Sequence, residues 1–222
     1  MTSYGQFCPV AKAMELLDER WTMLVVRELL AGSTHFNDLR RGNPKMSPAL
    51  LSKRLRTLER AGLVRREVED GRSNYTLTAC GEELREVVGA LGAWGVRWIG
   101  QLGEEDLDPH LLMWDIRRTV SLDLWPRGRT VIAFEFEDVP SRAARWWLCV
   151  SGDEADVCDY DPGFEVTATV ALRLRTLTEI WRGDRDWVQA LKSERVALSG
   201  PGARNVPRWL GQMNLAAVAR PA

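Results

Sequence analysis

Reactive side chains are scarce in this chain, and none is placed to work with another. Its 222 residues hold two histidines and four cysteines. Cys8, Cys80, Cys149 and Cys158 are scattered, with no C-x-x-C and no histidine at ligand spacing, which argues against a structural metal site and against a disulfide framework. His110 has no Cys, Ser or Asp at a recognisable catalytic spacing, and no G-x-S-x-G, P-loop or G-x-G-x-x-G motif is present. No enzyme, no metal and no cofactor is therefore expected. No apolar run approaches the ~20 residues that a membrane-spanning helix needs. The first residues lack a basic segment followed by an apolar core, so no membrane partner and a cytoplasmic location are expected.

Charge is present in ordinary amount, 27% of residues, but it is unevenly placed. The net charge of −1 argues by itself against a nucleic-acid partner. The distribution argues for one: residues 1–100 carry +3, residues 101–222 carry −4, and the segment from Phe36 to Arg66 alone carries +7. A phosphate backbone responds to that local patch and not to the global balance.

Within the patch, S-P-A-L-L-S-K-R-L-R-T-L-E-R-A-G-L covers Ser47 to Leu63. Leu51, Leu55 and Leu58 recur at helical spacing and mark a buried face. Ser47 is a good N-cap, Pro48 suits the first helical position and Gly62 supplies a stop. Ala49, Ser52, Lys53 and Arg56 fall on the opposite face, small and cationic, as a helix entering a DNA major groove requires. A basic face is also the mark of an ordinary solvated helix, so the neighbouring elements decide between the two.

Residues 1–7 are expected to be irregular. A helix follows from Cys8 to Asp18, patterned by Val10, Ala13, Met14 and Leu17. A second runs from Trp21 to Leu30, with Leu24, Val25, Leu29 and Leu30 inward and Gly32 as its end. His35 to Arg41 forms a short third, held by Phe36 and Leu39, and Gly42-Asn43-Pro44 turns the chain into the basic helix: a helix-turn-helix. Leu63–Val68 reads as a strand, residues 69–74 as a loop, and Tyr75–Thr78 as a returning strand. This hairpin carries Arg72 at its tip, where an arginine can reach the backbone or minor groove. Arg40, Arg41 and Lys45 would join Arg72 in backbone contacts that set register. From Thr78 to Gly100 one long helix is expected. Its broad stripe of Leu84, Val87, Val88, Leu91, Trp94, Trp98 and Ile99 fits a homodimer surface, with packing against the second domain as the alternative.

The segments C-P-V-A-K-A-M-E-L-L (8–17), R-W-T-M-L-V-V-R-E-L-L-A-G (20–32), H-F-N-D-L-R-R (35–41), residues 47–66, Y-T-L-T-A-C-G (75–81) and A-L-G-A-W (90–94) resemble the HxlR-type winged-helix regulators. The resemblance implies a dimeric transcriptional regulator, with double-stranded DNA as partner and a near-palindromic operator as target. It also singles out Cys8, because regulators of this type that sense oxidants use a cysteine near the N-terminus. At a helix start the macrodipole favours a thiolate, so Cys8 is a redox candidate.

The acidic stretch from Leu102 to Asp108 suggests a boundary, with domains at 1–102 and 103–222. Asp108 and Pro109 open a helix through Leu111, Leu112, Ile116 and Val120. Thr130–Glu137 alternates as a half-buried strand, and further strands are expected at 146–150, 155–158, 164–172 and 195–198. Short helices fit 178–182, 186–191 and 207–213. The whole is an α+β domain with a mostly antiparallel sheet, beside a mostly α first domain. F-E-V-T-A-T-V-A-L (164–172), L-T-E-I-W-R-G (177–183) and W-V-Q-A-L-K-S-E-R-V-A-L-S-G-P (187–201) are similar to sterol-carrier-protein-2-like domains, although Glu194 stands where that family more often has Gly. That similarity implies a five-stranded sheet over an apolar tunnel for lipid-like molecules. Trp114, Phe134, Phe136, Trp146, Trp147 and Trp181 are then candidate ligand-lining residues, with core filling as the alternative. The resulting expectation is a homodimeric DNA-binding repressor with an apolar-ligand sensor. A Cys8 thiol switch and a lipid-like carrier with a vestigial winged helix are the alternatives.

Overall fold

A computed structural model describes residues 3–220, so the expectation for residues 1–7 is met only from Ser3 on, where no regular structure precedes the first helix. The described residues form two compact units, one up to Gly92 and one from Ala93.

The first unit contains α1 (Pro9–Leu17), α2 (Thr22–Leu30), α3 (Phe36–Arg41), α4 (Pro48–Arg60), β1 (Val64–Glu69), β2 (Arg72–Leu77), α5 (Ala79–Glu82) and the start of α6 (Leu84–Trp98). Its core gathers Val25, Val26, Leu39, Leu51, Leu55 and Leu58, each at most 1% exposed. The inward face of α2 is Thr22, Val25, Val26 and Leu29, an i, i+3, i+4, i+7 set. Leu24, expected inward, lies off that stripe and is 40% exposed. In α1, Val10 and Met14 are exposed as well, and Leu16 is the residue that packs on the core.

The hairpin is tighter than the sequence suggested. Strands β1 and β2 pair from Val64↔Leu77 to Glu69↔Arg72, leaving only Asp70 and Gly71 as the turn. Both have positive φ, 49° and 74°, as a type I′ turn requires. Residues 69 and 72–74, expected in a loop, are in the ladder. A further bridge joins His35 to Asn74, so the start of α3 is hydrogen-bonded to the hairpin. The single helix expected from Thr78 to Gly100 is two: Thr78 caps the one-turn α5, and α6 begins after Glu83.

The second unit contains α7 (Pro109–Thr119), β3 (Thr130–Phe136), β4 (Arg145–Ser151), β5 (Glu154–Cys158), β6 (Ala168–Leu172), α8 (Leu174–Arg182), α9 (Trp187–Lys192), β7 (Val196–Ser199) and α10 (Val206–Leu210). The sheet order is β5-β4-β3-β6-β7, antiparallel except for the β3–β6 pair. As the central strand, β3 is covered on both faces: Val131 and Ala133 are buried alongside Ile132, Phe134 and Phe136, and only Glu135 is exposed. The expectation of a half-buried strand is corrected accordingly. Strand β6 starts only at Ala168, because the chain between β5 and β6 must first cross β4 and β3. Phe164 falls in that crossing, with the Arg129 guanidinium 3.9 Å over its ring. Glu194 takes a left-handed conformation, φ 55°, just before β7, so the tight turn survives without a glycine.

Candidate nucleic-acid interface

The interface is built on α3, the turn after it, α4 and the hairpin. Ser47 caps α4, its Oγ accepting from Leu50 N–H at 3.3 Å, and Pro48 occupies the first turn, so the helix starts where the sequence requires. With Leu51, Leu55 and Leu58 pressed into the core, Ala49, Lys53 and Arg56 are exposed on the other face and Ser52 is half-buried. Arg40, Arg41, Lys45, Ser47 and Arg72 are exposed too. Arg72 is the first residue of β2, beside the turn and across from Glu69. All nine expected DNA-facing residues therefore lie in one unit, at or near the surface of α3, the inter-helix turn, α4 and the hairpin.

Two charged groups hold this arrangement and were not singled out in the sequence. Arg54 is cationic but turned inward at 7% exposure: its Nε donates to the Arg20 carbonyl at 3.0 Å, and its guanidinium pairs with Glu19. Its position was legible, because residue 54 is three after Leu51 and four before Leu58, on the buried side. The second group is Glu28, fully buried, accepting from Arg27 Nη2 at 2.7 Å. The same nitrogen donates to the Gly42 carbonyl at 2.8 Å, tying α2 to the end of α3. A Cβ on Gly42 would sit 1.8 Å from the Glu28 carboxylate, so any other residue would force that buried side chain to shift. Nearby, Asn43 is 1% exposed and donates to the Leu39 carbonyl at 2.9 Å, fixing the turn from within.

Of the candidate ligand-lining residues, Phe134, Phe136, Trp146 and Trp181 belong to the core of the second unit at 0–5% exposure. Trp114 is buried at 3%, with the Arg117 guanidinium 4.7 Å over its ring, and Trp147 is half-buried on the other face of β4. Cys8, the redox candidate, is the N-cap residue of α1 and half-buried. Burial foremost, then the neighbouring Cys158 and Asp156, push the thiol of Cys149 up to about 11 against the pull of Arg129. It is a protonated, weakly nucleophilic thiol at neutral pH. Among the described residues no helix is long and apolar enough to cross a membrane.

The HxlR-like helix-turn-helix family model matches residues 16–102. The uncharacterised HTH-type transcriptional regulator YvaP of Bacillus subtilis (strain 168) is 37% identical over 99 residues, covering 43% of this chain and 92% of that protein. The uncharacterised HTH-type transcriptional regulator sll1512 of Synechocystis is 37% identical over 100 residues, 44% of this chain and 74% of that one. Among solved structures, the reduced form of the transcriptional regulator YodB from B. subtilis is 30% identical, with a TM-score of 0.38 over 43% of this chain and 97% of that one.

Proposed function

The chain belongs to the HxlR-like helix-turn-helix family of transcriptional regulators, and from that premise we propose that it is a homodimeric repressor of a near-palindromic operator. The observation that carries the reading is the exposed basic face of α4, backed by an apolar face sunk in the core and followed directly by a hairpin. Ala49, Ser52, Lys53 and Arg56 meet base edges and adjacent phosphates, while Arg40, Arg41, Lys45 and Arg72 fix register on the backbone. Dimerisation is supported by α6, where Val87, Leu91, Trp94 and Trp98 are 45–58% exposed and recur along one face of the helix. A two-fold axis through such a surface sets two α4 helices one DNA turn apart, ~34 Å.

For the second unit the proposal is a sensor of apolar molecules with a sterol-carrier-protein-2-like fold, supported by its five-stranded sheet, flanking helices and aromatic content. Its candidate lining residues are tightly packed, so a ligand enters by displacing side chains and favours a different state from the ligand-free one. A second reading, a thiol switch, is supported by Cys8 at the start of α1, half-buried and not enclosed. Cys8→Ser separates the two: loss of an oxidant response with DNA binding intact selects the switch.

The operator is tested by selecting bound fragments from genomic DNA with the full chain and sequencing them. The expected outcome is a shared two-fold site with half-site centres ~10 bp apart. Recovery of fragments with no common sequence contradicts the regulator reading.

A further inference from the structure

Two adjoining surface clefts, each about 480 Å³, lie between the start of α3 and the hairpin and meet at His35 and Arg72. The cleft on the turn side adds Glu69, Asp70 and Asn74. The cleft on the α3 side adds Phe36, Asn37, Asp38, Arg41 and Ser73. Their charges differ in sign. Two carboxylates face Arg72 on the turn side; on the α3 side Arg41 and Arg72 face one, Asp38, which lies 3.5 Å from Arg41. An anion is therefore repelled from the first cleft and drawn to the second.

His35 stands on the divide. Its backbone is fixed independently of its ring: residue 35 bridges to Asn74, and Tyr75 N–H donates to the Thr34 carbonyl at 2.8 Å. The exposed imidazole is thus free to act on the cleft. Imidazole is the side chain whose ordinary titration falls between pH 5 and 8, and its protonated form donates from both nitrogens. Asn74, which lines the turn-side cleft, has a buried amide oxygen with no hydrogen-bond partner.

We propose that the α3-side cleft is a phosphodiester seat, formed by His35, Asn37, Arg41, Arg72 and Ser73, that is completed by protonation of His35. The proposal rests on the DNA-binding reading and deepens it. Neutral His35 leaves two cations against Asp38. Protonated His35 adds a third, and its second N–H points the charge-assisted contact at a phosphate oxygen. DNA affinity then rises as pH falls through the imidazole range, in a way set by a residue outside α4. The charged groups that line the two clefts with His35 are Asp38 and Arg41 from α3, Arg72 from β2, and Glu69 and Asp70 from the end of β1 and the turn.

The test uses the full chain and a fluorescein-labelled mixed-sequence duplex of ~30 bp at low salt, because phosphate contacts do not depend on sequence. Anisotropy titrations compare pH 8.0 with pH 5.8 for the wild type, His35→Gln and His35→Arg. Wild-type affinity is expected to rise severalfold at the lower pH, as one cation is added beside the phosphate backbone. His35→Gln is expected to lose that rise, and His35→Arg to bind tightly at both pH values. An equal rise in wild type and His35→Gln, or a flat wild-type profile, overturns the seat while leaving DNA binding intact. Absence of binding to any duplex at either pH overturns the DNA reading and this inference with it.

Discussion

Arg54 and Arg56 are two residues apart on α4 and have opposite roles. Arg54 is clamped between the Arg20 carbonyl and Glu19, whereas Arg56 stands exposed. Arg54→Ala leaves a backbone carbonyl and a carboxylate without their donor and is expected to cost about 2 kcal/mol, discounted because Glu19 is 39% exposed. Urea denaturation followed by circular dichroism measures it, and a change below about 0.5 kcal/mol would show that the clamp is unimportant. Both roles were legible in principle: helical spacing assigns residue 54 to the buried side and residue 56 to the open one. What spacing does not disclose is the partner. Glu19 lies 35 residues away, and Glu28, with 0% exposure, looks in the sequence like any solvated carboxylate. The sequence therefore showed the cations that face outward and missed the charged residues that aim them.

At the scale of the element, the hairpin shows where pattern reading misleads. Asp70-Gly71 is a strong type I′ turn signal, yet the polar run Arg72-Ser73-Asn74 reads as loop. It is polar although it is in the ladder: β1 beyond Val64 is exposed at every position, and in β2 Arg72 is exposed while Ser73 and Asn74 are half-buried, so no apolar alternation marks the start of the strand. Gly71→Val puts a β-branched side chain at φ 74° and is expected to cost about 1–2 kcal/mol of local stability. Amide exchange of β1 and β2 should accelerate while that of α2 and α4 stays slow, and unchanged exchange in the hairpin would contradict the turn assignment. Strand β6 failed in the opposite direction: Phe164 and Val166 alternate correctly with Ala168 and Val170, but the crossing from β5 consumes them. Periodicity is local and crossing distance is not, so that boundary was not available from the sequence. The basic helix, the short third helix and the N-cap of α7 were, because caps and apolar spacing are local.

For the whole molecule, the charge partition between the two halves was legible and carries through to the structure. The basic face lies in the unit ending at Gly92, and the near-neutral overall charge conceals it. The second unit has its own core around Phe134 and Met113, separate from the one around Leu51 and Leu55. Its sheet order could not be read from residues, since five strands of this length admit many orders and the central place of β3 shows only in its double-sided burial. The function proposed for the molecule depends on the first unit gripping phosphate and base edges through the open face of α4. The most direct test is the salt dependence of binding to duplex DNA for the full chain and for Lys53→Ala/Arg56→Ala. Neither side chain is buried, so the double variant should keep its folding stability. Its plot of log affinity against log salt is predicted to be shallower by about 2, as for two lost phosphate contacts, with weaker binding throughout. The same slope and the same affinity in the double variant would contradict the assignment of α4 as the DNA-reading helix.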